Sequence, residues 1–396
     1  MIDDKDRLNL LNALKNCICG TKVTDNLDIN LTLSGRCSVT SLLYPLADYV
    51  DTESARAIAS SAELSVNRFY KLSYVARYLI DLLQKNGIEV LLLKGPVTCS
   101  YYFVPEYRAF ADVDLLLVDE DDYERADRLF MEHGIVMTTN QDSHHHTSYL
   151  FDGVCIELHR KVVRAFAKHE VNERIDAIFK IDDRKKTNKT NKTIVGCNYP
   201  VLTADLELLY MILHMIEHLC NAGFGIKLLC DYTAALNVSD GDDIDKLKAY
   251  AEELGLTTFI SAMADICVAY LGLSEEVYLR LTGKSARIEE IRSDSNVDEL
   301  LDEIFDTGLF GKDNRNRIVV PDEAGITGYI KEFHHQMKEN FPTTSGIVII
   351  WPLLWLATLI NFIKNNKRVR STGLLNILRE ADRRGRIIRK MKLWKR

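Results

Sequence analysis

The chain has 396 residues, 47% of them hydrophobic and 27% charged, which is the balance of a globular protein and excludes a disordered or fibrous one. At this length a single hydrophobic core rarely suffices, so two or three modules are expected. Nine cysteines follow no paired spacing, and the N-terminus is charged from its third residue without an apolar leader, so free thiols in the cytoplasm are expected.

The net charge of −7 is unevenly spread, because Lys364–Arg396 holds thirteen Lys and Arg against two acids. Such a tail suits contact with nucleic acid or an anionic membrane, or else a cationic helix that docks on an acidic body or simply presents a solvated face; the last two are favoured.

In chain order, residues 1–66 read as an N-terminal helical region broken by Gly20, Gly35 and polar clusters. Asn67–Asn86 is an amphipathic helix with Leu72, Val75, Leu79, Leu82 and Leu83 on one face, closed by Gly87. The period then changes. Ile88–Leu93 reads as a buried strand, Pro96–Phe103 as a short helix, Val113–Val118 as a strand, and Asp121–His133 as a helix whose preceding acids Asp119–Asp122 serve as a cap. Strands follow at Ile135–Thr139, Ser148–Phe151 and Val154–His159, and the polar run Lys185–Thr193 reads as an exposed turn. Residues 67–200 thus describe a small α/β module with a mixed sheet. Residues 201–396 read as a C-terminal helical domain ending in the basic tail, with helices at Ala204–Asn221, Lys227–Asn237, Asp242–Leu254, Thr257–Leu271, near Gly325–Phe341 and at Leu374–Lys392. The uncharged stretch around Ile347–Ile360 is too short for a membrane span and contains Pro352, so it reads as a buried hairpin or kinked core helix rather than a membrane-inserting segment backed by Lys364, Lys367, Arg368 and Arg370, and no transmembrane segment is expected. The expected class is α+β, a small mixed sheet embedded in a mainly helical protein.

The most informative tripeptide is Asp112-Val113-Asp114. Alternate residues of a strand share a face, so both carboxylates project together and favour a divalent cation between them. Hard ions such as Mg²⁺ (or Mn²⁺) take oxygen ligands and share them with substrate phosphates. Glu157 lies in VCIELH, where alternation puts Cys155, Glu157 and His159 on one face; a neighbouring position in the sheet would supply a third carboxylate. Lys94-Gly95 forms a strand-to-helix turn suited to phosphate, Thr98 and Ser100 add hydroxyls, and Arg108 stands four residues before Asp112. His159 either touches substrate or orients Glu157. His214 and His218 read as core or supporting residues, His144–His146 as a solvated or cleft-lining strand edge, and Lys227 with Asp231 as a helix ion pair or a substrate clamp.

The order LLLKGPVTCSYYF, YRAFADVDLLLV, GVCIELH, followed by LLYMILHMIEHLCNAGFGIKLLCDYTAAL, resembles the uncharacterised bacterial nucleotidyltransferases of the DNA polymerase β-like superfamily. The likeness covers roughly residues 70–240. It implies that Asp112, Asp114 and Glu157 hold Mg²⁺ and a nucleoside triphosphate, that Lys94, Gly95, Thr98, Ser100, Arg108, His159, Lys227 and Asp231 line the substrate, and that a nucleotidyl group passes to a hydroxyl or phosphate of an unidentified acceptor. The turn departs from the superfamily pattern at Pro96, which offers neither hydroxyl nor N–H. Two other classes remain compatible. A DxD glycosyltransferase would need a larger nucleotide-sugar domain ahead of Asp112, and a non-catalytic nucleotide-binding or scaffold protein would draw its support from Pro96.

Overall fold

Asp51 starts the helix on which the sheet rests. Its carboxylate accepts the N–H groups of Glu53 and Ser54 at 2.9 and 3.0 Å, and no Gly or Pro interrupts the sequence until Gly87, at φ +70°. The resulting helix α3 (Thr52–Lys85) follows α1 (Asp4–Cys19), α2 (Leu31–Arg36) and a 3₁₀ segment (Thr40–Tyr49). The expected helix Asn67–Asn86 is the second half of α3, so position 66 lies within a helix. The computed structural model describes residues 4–138, 145–181 and 188–307 without 22, 25, 167 and 222, then 330–369 without 332, 335, 336, 339, 342 and 343, and 383–395.

Five strands follow: β1 (Val90–Leu92), β2 (Asp112–Leu117), β3 (Val136–Met137), β4 (His146–Phe151) and β5 (Val154–His159). Between them lie α4 (Pro96–Cys99) and α5 (Tyr123–Glu132). The sheet order is β1-β2-β5-β4-β3, with β2 and β5 parallel and the other neighbours antiparallel. Asp119 accepts the N–H of Asp121 ahead of α5, as the capping reading expects. Alternation then separates the faces. Val113, Leu115 and Leu117 of β2 and Val154, Ile156 and Leu158 of β5 join α3 and α5 in one apolar core, which leaves Asp112, Asp114, Glu157 and His159 on the opposite face. The α+β class with a small mixed sheet inside a helical protein is the observed one.

Two elements depart from expectation. After α6 (His169–Phe179), β6 (Lys189–Ile194) pairs antiparallel with β7 (Cys197–Leu202), where an exposed turn was expected over the described part of Lys185–Thr193. Composition misled there: polar residues sit on a ladder whose buried anchors, Ile194, Tyr199 and Val201, lie at and beyond its turn. The apolar stretch forms a 3₁₀ turn and the helix Trp351–Val369, and it is exposed rather than buried: Ile349 is 91% and Leu353 68% accessible. Pro352 falls in the first turn, where its missing N–H breaks no helical bond. Among the described residues no helix is long and apolar enough to cross a membrane.

The second, larger core is helical. It gathers α1 with α7 (Ala204–Asn221), α8 (Ile226–Val238), α9 (Gly241–Leu254), α10 (Thr257–Ile266), α11 (Glu275–Thr282), α12 (Ile288–Arg292) and α13 (Ser295–Thr307). Described residues 383–390 are helical through Gly385 and dock on α13. Arg384 Nε donates to Glu303 Oε1 and Arg383 Nη2 to Glu303 Oε2, both at 2.7 Å, with Arg384 and Glu303 buried; this part of the basic tail thus meets an acidic partner on the body. Residues 374–382 of the expected helix Leu374–Lys392 lie outside the described residues, and Met391 and Lys392 fall in a turn after the helix. Glu303→Ala leaves two guanidinium groups without their shared carboxylate. It is expected to lower stability by about 3–5 kcal/mol, read in urea melts.

Candidate active site

The parallel register sets Asp112 opposite Cys155 and Asp114 opposite Glu157, and β4 sets His146 opposite His159. Acids and imidazoles from three adjacent strands therefore share one face. Asp114, Glu157 and His159 each present a ligand atom within 4.8 Å of the others. Asp112 occupies the same face two residues earlier, outside that group.

Asp114 is fully buried. Its Oδ1 accepts Lys94 Nζ at 3.0 Å and His159 Nε2 at 3.0 Å, while its Oδ2 is buried with no hydrogen-bond partner. Burial alone pushes this carboxyl's pKa up, but Lys94 and His159 outweigh it and hold the group well below the usual carboxylate range. Asp112 goes the other way. Burial first, and then the charge of Asp114, raise it to about 6. Burial disfavours the His159 cation, yet the bonds to Asp114 and Glu157 prevail and its pKa is raised. Lys94 likewise overcomes its burial through Asp114 and lies 6.0 Å from the centre of the Tyr210 ring.

An unpartnered, buried carboxylate oxygen beside a second acid is the donor chemistry of a hard divalent ion. The residues present fit Mg²⁺ or Mn²⁺.

The turn before this face is tightly built. Gly95 has φ +66°, and a Cβ there would meet the Phe110 ring at 2.9 Å, so only glycine fits. Thr98 is buried, and Ser100, just after α4, donates its Oγ hydroxyl to the Val97 carbonyl at 2.6 Å. Lys94, Thr98, Arg108, Tyr210, His214 and Asp231 line a cleft between this turn and helices α7 and α8.

The family described as uncharacterised nucleotidyltransferase matches residues 38–272, more than half of the chain. The chain belongs to this nucleotidyltransferase family. Among solved structures, an antigenic nucleotidyltransferase-like protein from Paracoccidioides brasiliensis is similar at 16% identity, over 47% of this chain and 87% of that one, with a TM-score of 0.28. That level of likeness carries no structural argument. No curated protein sequence matches the chain.

The other expected residues of this nucleotidyltransferase family member divide by partner. Arg108, expected to reach phosphate oxygens, forks onto Asp231 instead, with Nη2–Oδ2 at 2.6 Å and Nε–Oδ1 at 3.1 Å. Tyr102 adds its hydroxyl to Asp231 Oδ1 at 2.7 Å. Lys227 donates to the Ala109 carbonyl, so α8 grips the loop before β2 through both residues of the expected pair. His214 and His218 pair with each other at 3.1 Å, and His214 stacks on Tyr210, in keeping with a supporting role. The sequence puts the run His144–His146 at a solvated or cleft-lining strand edge, and His145 and His146 fall among the described residues. Their rings pack against His159, at centroid distances of 4.8 and 5.1 Å, and only the register of β4 on β5 shows it.

Proposed function

We propose that this chain transfers a nucleoside monophosphate from a nucleoside triphosphate to a hydroxyl or phosphate of an acceptor, using Asp112, Asp114 and Glu157. The observation that carries the reading is the buried Oδ2 of Asp114, unpartnered and on the same sheet face as Glu157. These three acids would hold Mg²⁺ or Mn²⁺. A divalent ion held there supplies stabilisation of the charge that develops on the α-phosphate and on the departing pyrophosphate. The chain's own residues do the rest. Lys94 and His159 keep Asp114 ionised at neutral pH, and Lys94 brings a cation to the turn where Pro96 has removed an N–H. Glu157, about a quarter exposed, takes the proton of the acceptor hydroxyl as its oxygen bonds to the α-phosphorus. The bond from that phosphorus to the bridging oxygen breaks, and pyrophosphate leaves with the electron pair. The acceptor would lie at the cleft beside Tyr210 and His214, between sheet and helices.

The test incubates the purified chain with each of the four α-³²P-labelled triphosphates, Mg²⁺ or Mn²⁺, and a small-molecule and peptide extract as acceptor source. Metal-dependent transfer of label with release of pyrophosphate is expected. Neither label transfer nor pyrophosphate with any triphosphate would remove the proposal. A DxD glycosyltransferase lacks support, since the described residues ahead of β1 are helices, turns and connecting segments with no nucleotide-sugar domain.

A further inference from the structure

We infer that His145, His146 and His159 form a second metal site, suited to a late first-row divalent ion such as Zn²⁺ and separate from the oxygen-only set of Asp112, Asp114 and Glu157. One ring nitrogen from each histidine lies within 4.8 Å of the other two. The sheet dictates this, because His146 is registered opposite His159 and His145 precedes it at the start of β4.

The tautomer of His159 is fixed by its neighbours. Its Nε2–H donates to Asp114 Oδ1 at 3.0 Å and lies 3.4 Å from Glu157 Oε2, so the lone pair of the neutral ring is on Nδ1, and a metal ion binding there displaces the second proton of the cationic form. That Nδ1 faces His145 Nε2 at 3.3 Å. Two nitrogens each bound to zinc at about 2.0–2.1 Å in a tetrahedron stand about 3.3–3.4 Å apart, so the observed spacing is already that of a ligand pair. A carboxylate on the far nitrogen of a metal-bound histidine is also the usual support for such a ligand. Here Asp114 supplies it through Oδ1, with Oδ2 turned elsewhere.

The packing of His145 makes the same point. A core histidine ordinarily sets its nitrogens against carbonyl or hydroxyl groups. Both nitrogens of His145 face other imidazole nitrogens, Nδ1 against His146 Nδ1 at 2.8 Å and Nε2 against His159 Nδ1 at 3.3 Å. A cation bound to His145 Nε2 and His159 Nδ1 gives that facing pair a common partner, and the Nδ1–H of His145 is then free to donate to His146. His145 and His159 are buried, while the His146 side chain is 27% exposed and opens a path for an ion to enter. Imidazole ligands select zinc, cobalt or copper over magnesium, which keeps to oxygen. The site stands whether or not the chain transfers nucleotides.

Co²⁺ added to the metal-stripped full-length chain tests it. The expected result is one tightly bound Co²⁺ per chain with the intense visible bands of four- or five-coordinate nitrogen ligation, unchanged by excess Mg²⁺ and by Asp112→Asn. His146→Gln, at a half-exposed position, is expected to weaken binding at least about 10-fold, equivalent to about 1.4 kcal/mol, and His145→Ala to remove the bands. A pale six-coordinate spectrum, displacement by Mg²⁺, or unaltered affinity in His146→Gln would overturn the inference. Intact bands without label transfer would instead count against the nucleotidyl-transfer reading alone.

Discussion

Asp112→Asn is expected to make the metal-free chain more stable at neutral pH, and Asp114→Asn to make it less stable, although both substitutions should lower nucleotidyl transfer by at least about 100-fold. The opposite signs follow from what each carboxylate meets. Asp112 is raised to about 6 by burial and by Asp114, so its ionised form is worse off folded than unfolded. That penalty is fully present above pH 6 and absent below the unfolded value near 4; it amounts to about 3 kcal/mol at most. Removing the charge therefore gains about 1–3 kcal/mol at pH 7.5, and the gain should fade as the pH drops to 4. Asp114 is the reverse case. Its folded pKa is depressed, so its contribution is present above the unfolded value and lost only as the pH falls through the folded one. Asp114→Asn leaves Lys94 and His159 without their shared anion at a buried position, a loss of about 3–5 kcal/mol. Thermal and urea melts with a chelator present, at pH 7.5 and pH 4, measure both. A chain destabilised by Asp112→Asn at pH 7.5 would contradict the assigned burial of that carboxylate.

The same alternation explains how much of the site could be read in the sequence. The pattern DVDLLLV states both that a strand is present and which side is dry, because Val113 and Leu115 fill the core that Asp112 and Asp114 avoid. VCIELH carries the same information, and a parallel neighbour was enough to bring Glu157 beside Asp114. Lys94 needed only the turn. What the sequence does not contain is partner choice among charges far apart in the chain. Arg108 reads as a phosphate ligand until α8 puts Asp231 against it, more than a hundred residues later. The histidine run reads as a solvated or cleft-lining edge, and its contact with His159 appears only once the register of β4 is known. The 3₁₀ and α-helical stretch after Ile347 failed for another reason: hydrophobicity predicts burial only where a surface of the same chain covers it, and Ile349 and Leu353 are exposed among the described residues. Strand β6 failed because its residues are polar, and its pairing with β7 is a backbone matter that composition does not record.

Asp231→Ala is the second substitution with a large expected effect, and it acts on the site without touching a phosphate or an ion. Asp231 receives the Arg108 fork and the Tyr102 hydroxyl, and Arg108 and Asp231 are both buried. Lys227 lies in the same pocket of charge; its burial first, and then the Arg108 cation, bring its pKa down to about 8. Removing Asp231 leaves the buried Arg108 guanidinium without its carboxylate and within reach of the Lys227 charge, and about 3–5 kcal/mol of stability should be lost. The consequence for activity is geometric. Arg108 and the Ala109 carbonyl belong to the four residues that lead into Asp112, so the clamp sets where β2 begins. Arg108→Met alone leaves the buried Asp231 with the Tyr102 hydroxyl but without its guanidinium, whereas Arg108→Met with Asp231→Leu replaces the pair by apolar volume. The double variant should recover most of the stability lost in either single one, giving a coupling energy of about 2–3 kcal/mol in a double-mutant cycle. Label transfer should recover along with it if the clamp only positions the strand. A stable double variant that remains without activity would show that Arg108 or Asp231 meets the substrate directly.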